Sequence, residues 1–218
     1  MSIITIERKV LEKNDEIAKR NRDFFLSNNM FVINLVSSPG SGKTSILEQT
    51  LEYFNGKIPV GVVEGDVQTD LDAQRIARYN VPVVQVVTNG MCHLEAKFIN
   101  ESLTAFEGKH IRLLVIENVG NLVCPSNYDL GETHKVVVLS TTEGDDKPLK
   151  YPAMFRNASV LLINKIDLLP YVNCNLDALI RNALSINPKL TVFSLSCTTQ
   201  EGIADWCGWL ERQISVIS

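Results

Sequence analysis

The chain has 218 residues, 45% of them hydrophobic and 21% charged, with a formal net charge of -4 at pH 7. That length suits one large domain with a real core, and the mild acidity offers no general attraction for nucleic acid or an anionic membrane. The opening "MSIITIERKVLEKNDE" is too charged for a signal peptide, and no apolar run nears the roughly 18 residues of a membrane span. Five cysteines in no regular framework point to a reducing compartment, so the cytoplasm is the expected location.

Residues 5–28 read as a leading amphipathic helix, with Ile6, Val10, Ile17, Phe24 and Phe25 among charges. Seven apolar, β-branched runs follow: "FVINLV", "IPVGVV", "VPVVQVV", "IRLLVI", "KVVVLS", "SVLLIN" and "LTVFSL". Each has the length of a buried strand. Helix-like segments lie between most of them, including "TSILEQTLEYF", "DLDAQRIARY", "HLEAKFINESLTAF" and "NLDALIRNALS". The alternation predicts an α/β fold with a mainly parallel central sheet of about seven strands flanked by helices. Without repeats or linkers, 1–218 is expected to form a single domain with its core at 31–218. Ligands of such sheets sit at the carboxyl ends of the strands.

The segment "NLVSSPGSGKTSIL" places a P-loop between the first strand and its helix. The first position of the pattern, normally glycine, is Ser37, a small residue at the strand exit where modest adjustment suffices. Backbone N–H groups from Gly40 to Ser45, including Ser41 and Gly42, can surround an anionic phosphate at the helix N-terminus. Lys43 would reach the β- and γ-phosphates and Thr44 would offer its hydroxyl to Mg²⁺. The plain alternative is a Gly/Ser turn before a helix.

"VLLINKID" then sets Asn164, Lys165 and Asp167 after a strand. Asp167 can accept two hydrogen bonds from guanine, whereas adenine would leave the carboxylate unpaired. Lys165 can lie along the base and Asn164 can tie this loop to the P-loop. Backbone N–H groups near Ser196, Cys197 and Thr198 are positioned for the guanine O6. The chain reads as binding GTP rather than ATP.

In "LLVIENVGN" a strand ends on Glu117, followed by Gly120, whose N–H is a candidate for the γ-phosphate. Glu117 takes the place where most GTPases hold a water-linked Asp on Mg²⁺. Asp66 is the second acidic candidate for that ion; Asp72 reads as a solvated helix face. Asn121 sits where many GTPases carry a water-orienting Gln and is too short to reach well. Lys43, Glu117 and Gly120 are the expected catalytic set, with slow Mg²⁺-dependent hydrolysis, on the order of one turnover per minute or slower.

Cys92 and His93 are adjacent, where a helix is expected to begin and to favour the thiolate; Cys124 follows Gly120 by four residues. Two sulfurs and an imidazole make much of a Zn²⁺ or Ni²⁺ site, with water or a second subunit supplying the rest. Buried, inert cysteines are the competing explanation. Cys174, Cys197 and Cys207 are expected to be such residues, and His110 and His134 to lie on the surface. The acidic "TEGDD" reads as a solvated loop, with a subunit contact as the alternative.

Taken together, "SSPGSGKTSIL", "VEGDVQTDLDAQRI", "NGMCHLEA", "IENVGNLVCPSNYDLGE", "LSTTEGDD" and "NKIDLLP" resemble the GTPases of nickel insertion into [NiFe]-hydrogenase, the HypB/UreG family of P-loop GTPases. The likeness covers nearly all of the chain from Phe31, and a Ser at the first P-loop position is familiar there. It implies a GTP- and GDP-binding metallochaperone with Zn²⁺ or Ni²⁺ on Cys92, His93 and Cys124. It further implies GTP-dependent homodimerisation across that metal site, maturation proteins and the hydrogenase large subunit as partners, and neither nucleic acid nor membrane. Some relatives carry an N-terminal cysteine motif or a histidine-rich tract; this sequence shows neither, which leaves nickel storage unsupported. The alternatives are a GTPase for another nickel enzyme such as urease, a small-molecule P-loop kinase, and a metal-binding interaction module with a structural nucleotide. Urease accessory GTPases carry a Cys-Pro-His pattern absent here, and a kinase would not need Asn164 to Asp167.

Overall fold

A computed structural model describes residues 6–68 and 71–217. The leading helix α1 spans Ile6–Ser27; residue 5 of the expected helix lies outside the described residues. The strands are β1 (Phe31–Ser37), β2 (Val60–Asp66), β3 (Val83–Val87), β4 (Leu113–Gly120), β5 (His134–Ser140), β6 (Val160–Asn164) and β7 (Thr191–Ser194). The remaining α-helices are α2 (Lys43–Phe54), α3 (Leu71–Ala77), α4 (Ala96–Ser102), α5 (Lys147–Lys150), α6 (Pro152–Arg156), α7 (Leu176–Ile186) and α8 (Ile203–Val216).

All seven expected strands form, and they pair in parallel as one sheet in the order β3-β2-β4-β1-β5-β6-β7. β1 lies in the middle, between β4 and β5, so the loops after these three strands converge at the point where the strand order reverses.

Alternation along each strand decides which side chain meets which layer. Phe31, Ile33 and Leu35 of β1 join Leu113, Val115, Val136 and Leu162 beneath α2 and α8, where Ile46, Leu47, Trp206 and Leu210 close one core. On the other face Val32, Val63, Leu114 and Ile116 pack with Phe25 of α1 and Ile99 of α4, while Val137, Leu161 and Ile163 pack with Phe155 and Leu179. Residues 34 and 118 fall on this second face, yet both are buried asparagines.

Gly131, at φ 92°, lets α1 lie directly on the turn before β5: a Cβ there would stand 2.7 Å from the Ala18 carbonyl. Trp206 is fully buried between the sheet and α2, and its indole N–H donates to Thr50 Oγ1 at 3.1 Å. Trp206→Ala should therefore cost about 3–5 kcal/mol in urea unfolding; a loss below about 1 kcal/mol would show that this core does not rest on the indole.

Candidate functional site

The turn from β1 to α2 builds a cleft of about 540 Å³ lined by Gly40, Gly42, Lys43, Thr44, Ser45, Asp66, Glu117, Gly120 and Lys165. Gly42 adopts φ 97°, and a Cβ on it would strike Asn164 Nδ2. The close approach lets Asn164 Nδ2 donate to the Ser41 carbonyl at 2.9 Å and Lys165 Nζ to the Gly40 carbonyl at 2.7 Å. The phosphate loop and the Asn-Lys-x-Asp loop are thus stitched together by direct hydrogen bonds. Ser37 is completely buried, and its hydroxyl accepts from Lys43 Nζ at 3.0 Å while donating to the Ser38 carbonyl at 2.6 Å. The departure from glycine gives the lysine a resting partner. Gly120 packs on the loop's Pro39, where a Cβ would meet Pro39 Cα at 3.1 Å.

Ser41 turns its hydroxyl inward to Glu143 Oε1 at 2.7 Å. Glu143 also accepts from the Ser140 N–H at 2.9 Å and faces Lys147 at 3.4 Å. The "TEGDD" loop is accordingly a brace on the phosphate loop at Glu143, and the expectation of a solvated loop fails there.

Glu64 and Glu117 are direct Cα partners between β2 and β4, so both side chains emerge toward α2. Thr44 Oγ1 donates to Glu117 Oε1 at 2.8 Å. Asp72 of α3, held by Arg75 at 3.1 Å, completes a group whose ligand atoms lie within 4.8 Å of one another. This corrects one expectation, that of Asp72 as a solvated face. Asp72 is a member of the cluster rather than a solvated face, and Glu64 joins it while Asp66 lines the cleft outside it, with Oδ1 accepting the Gln68 N–H at 2.8 Å. Burial pushes both glutamates up: Glu64 to about 10, with the neighbouring Glu117 carboxylate adding to the effect, and Glu117 upward against the pull of Lys43 and Thr44. Each retains a buried Oε2 with no hydrogen-bond partner. Such oxygens suit a hard divalent cation beside phosphates.

Two residues past Lys165 of the cleft, Asp167 Oδ1 accepts from Ser196 Oγ at 2.6 Å, and the same hydroxyl accepts the N–H groups of Thr198 and Thr199 at 3.2 and 3.1 Å. The Ser196 N–H is bonded to the Glu201 carbonyl at 3.0 Å. Of the three N–H groups expected to meet guanine O6, those of Ser196 and Thr198 are therefore already committed, which leaves Cys197. Burial lifts the Cys197 thiol to about 11, so it stays protonated beside this pocket.

The ligand atoms of Cys92, His93 and Cys124 come together within 4.8 Å of one another, with Cys92 Sγ 3.7 Å from His93 Nδ1. Cys124 opens a 3₁₀ turn over Cys124–Asn127, started by Asn121 Oδ1, which accepts the Val123 and Cys124 N–H groups at 2.7 and 3.3 Å. Asn121 is therefore committed to the turn. α4 begins only at Ala96, so Cys92 does not sit on a helix N-terminus, and its thiol is raised rather than lowered, chiefly through its hydrogen bond with Cys124. Burial lowers His93, which keeps the ring neutral; its Nε2 is buried without a hydrogen-bond partner, and the ring lies 4.1 Å from that of Tyr128. A neutral imidazole with a vacant nitrogen and two thiols fits a borderline divalent metal, which would displace the thiol protons on binding.

Helix α1 clamps both loops of this cluster. Asn21 Nδ2 donates to the carbonyls of Ala96 and Leu130 at 2.9 and 3.0 Å, and Asn14 takes the Ala96 N–H at 2.9 Å while donating to the Asp129 carbonyl at 2.8 Å. Among the other candidates, His110 is exposed and Cys207 buried, with its thiol pushed to about 12. His134 is not the surface residue expected: it is partly buried between Phe31 and Trp209, 5.5 and 5.3 Å away, and burial lowers its pKa. Glu64, Asn14 and Asn21 were not singled out by motif. Their only sequence signal is a polar residue on a face otherwise filled by apolar ones.

An acid raised on folding holds its proton more tightly folded than unfolded. Its contribution is full below the unfolded pKa, here 4.5, and is lost as pH rises toward about 10. Glu64→Gln should thus raise the Tm of the nucleotide-free protein more at pH 8 than at pH 5; equal gains would show that Glu64 titrates normally.

Residues 31–194 match the family model described as CobW/HypB/UreG, nucleotide-binding domain. The hydrogenase maturation factor HypB of Azotobacter vinelandii is 49% identical over 211 residues, covering 97% of this chain and 70% of that protein. The crystal structure of HypB from Helicobacter pylori in complex with nickel superposes with a TM-score of 0.89 at 36% identity, over 93% of this chain and 95% of that one. HypB from Archaeoglobus fulgidus gives 0.88 at 34%, over 93% and 99%. With this family match, identity, coverage and structural likeness, the chain belongs to the CobW/HypB/UreG family of nucleotide-binding domains, on its HypB branch.

Proposed function

We propose that the chain is a GTP-binding metallochaperone, one G domain over 1–218, that regulates nickel delivery to a [NiFe]-hydrogenase during maturation. The observation that carries this reading is the thiol–imidazole cluster of Cys92, His93 and Cys124 lying just beyond the strand that bears Glu117 of the phosphate cleft. Nickel is the cargo, and Zn²⁺ is the other metal suited to the same donors.

Within the cleft, Lys43 would leave Ser37 to engage the β- and γ-phosphates. Thr44 and Glu117, with Asp66 or the Glu64–Asp72 side of the cluster, would hold Mg²⁺. Mg²⁺ supplies neutralisation of phosphate charge during transfer to water. Asp167, oriented by Ser196, would read the guanine N1–H and 2-amino groups. Asn121 commits its side-chain oxygen to the metal-site turn, so it is not available to orient attacking water. That supports slow hydrolysis, on the order of one turnover per minute or slower without a partner's arginine.

The same reading includes a GTP-dependent homodimer meeting at the metal cluster, where Val123, next to Cys124, is exposed. The implied partners are the hydrogenase maturation proteins and the large subunit of the enzyme, in the cytoplasm. A urease client is a second reading, favoured by the Helicobacter pylori relative named hydrogenase/urease maturation factor, 39% identical over 95% of this chain.

Asp167→Asn should lower GTP affinity at least about tenfold and raise preference for xanthosine triphosphate, because a donor now faces the guanine donors; unchanged GTP preference in competition binding would reject the base assignment. Cys124→Ala should remove Ni²⁺ binding at the cluster, read by chelator competition, while GTP affinity shifts by less than about threefold. Light scattering of the unaltered protein with a GTP analogue and Ni²⁺ should show a dimer that Cys124→Ala weakens. Retained tight Ni²⁺ binding in that variant would move the cargo site elsewhere.

A further inference from the structure

We infer that Asn118 is the positioning residue through which the nucleotide cleft reaches both loops of the metal cluster; this rests on the function proposed above. On β4, successive side chains must face opposite sides of the sheet. Glu117 faces α2 and takes the Thr44 hydroxyl. Asn118 faces away and is 1% exposed.

Two arms leave Asn118. Its Oδ1 accepts the N–H of Leu94, the residue after His93, at 3.0 Å, and that of Val119 at 3.0 Å. Its Nδ2 donates to Asn34 Oδ1 at 3.2 Å, and Asn34 Nδ2 passes on to Glu132 Oε1 at 3.2 Å. Glu132 lies 3.8 Å from Lys135 Nζ, and that buried ammonium donates to the carbonyls of Pro125, Ser126 and Tyr128 at 3.1, 3.3 and 2.9 Å. Those carbonyls belong to the turn that Cys124 begins and to the residue that ends it.

The first arm thus grips the Cys92–His93 loop, and the second grips the Cys124 turn. Asn34 sits between Val32 and Val36 on its face, and Asn118 follows Leu114 and Ile116 on its own. Amides in such places are costly unless bonded, and partly bonded networks are costlier than apolar ones. The chain therefore has few arrangements open to it. Any shift of Glu117 when the third phosphate leaves turns the next peptide, and both loops follow through Asn118.

The test is Ni²⁺ affinity by chelator competition, in GDP and in a non-hydrolysable GTP analogue. The unaltered protein should show affinities at least about fivefold apart; equal values there would mean that nucleotide state does not reach the metal cluster and would refute the regulation of nickel delivery proposed above. Asn118→Asp keeps the acceptor for Leu94 and Val119 but loses the donor to Asn34. Its expected effect is a ratio below about twofold, with the affinity in one nucleotide state nearly preserved. An equal loss in both states, ratio intact, would overturn the inference and leave Asn118 as a mere support. Lys135→Met cuts the other end of the second arm and should also collapse the ratio. If thermal melting shows Asn118→Asp unfolded, the Lys135→Met ratio decides.

Discussion

A β-strand cannot send two consecutive side chains to the same face, and at Glu117 and Asn118 of β4 this constraint organises the molecule. One residue is turned to α2 and the phosphate loop, the other to the face that carries the metal-site loops. Because β4 runs between β1 and β2, Glu117 is held in parallel ladders on both sides, paired with Leu35 and Glu64, while the register with β1 shifts just beyond it and leaves Asn118 to its side-chain bonds. One peptide bond joins Glu117 of the cleft to Asn118, whose amide bonds reach toward the metal-site loops.

The cleft side carries an unfavourable arrangement in the absence of cations. Glu64 and Glu117 face each other in register, nearly sealed from water, and burial pushes both carboxyls up, Glu64 to about 10. A well-packed protein rarely keeps two buried carboxyl oxygens without partners unless something else meets them. Lys43 on Ser37 and Thr44 on Glu117 likewise use, within the protein, the groups a nucleotide and its cation would engage. Binding would exchange one set of bonds for another, with little backbone movement in a loop already fixed by Asn164 and Lys165.

The metal side is arranged differently. The hydrogen bond with the second sulfur raises the Cys92 thiol and burial keeps the imidazole neutral, so a metal would be bound by Cys92 in exchange for its proton. The scaffold around those donors is bonded side chain to backbone: asparagines of α1 hold the start of α4 and the stretch after the Cys124 turn, while Lys135 holds the turn's carbonyls.

Seven strands, their parallel alternation with helices, the phosphate loop and the Asn-Lys-x-Asp loop were legible in the amino-acid order, since each rests on local periodicity or on residues within a few positions. The sequence also put Cys92 beside His93 and Cys124 just past Gly120, though not their meeting, which requires β3 and β4 to end on the same edge of the sheet. Lone polar residues inside apolar strands carried no spacing from which partners could be deduced. Asn34 and Glu132 are 98 residues apart, Asn34 and Asn118 84. Local composition thus determined the elements and the ligand chemistry. Strand register decided that Glu64 faces Glu117, and the packing of α3 and of the loops on the finished sheet decided that Asp72 joins them and that Asn118 bonds toward both loops, because lateral pairing and tertiary packing are properties of the assembled fold and not of any one segment.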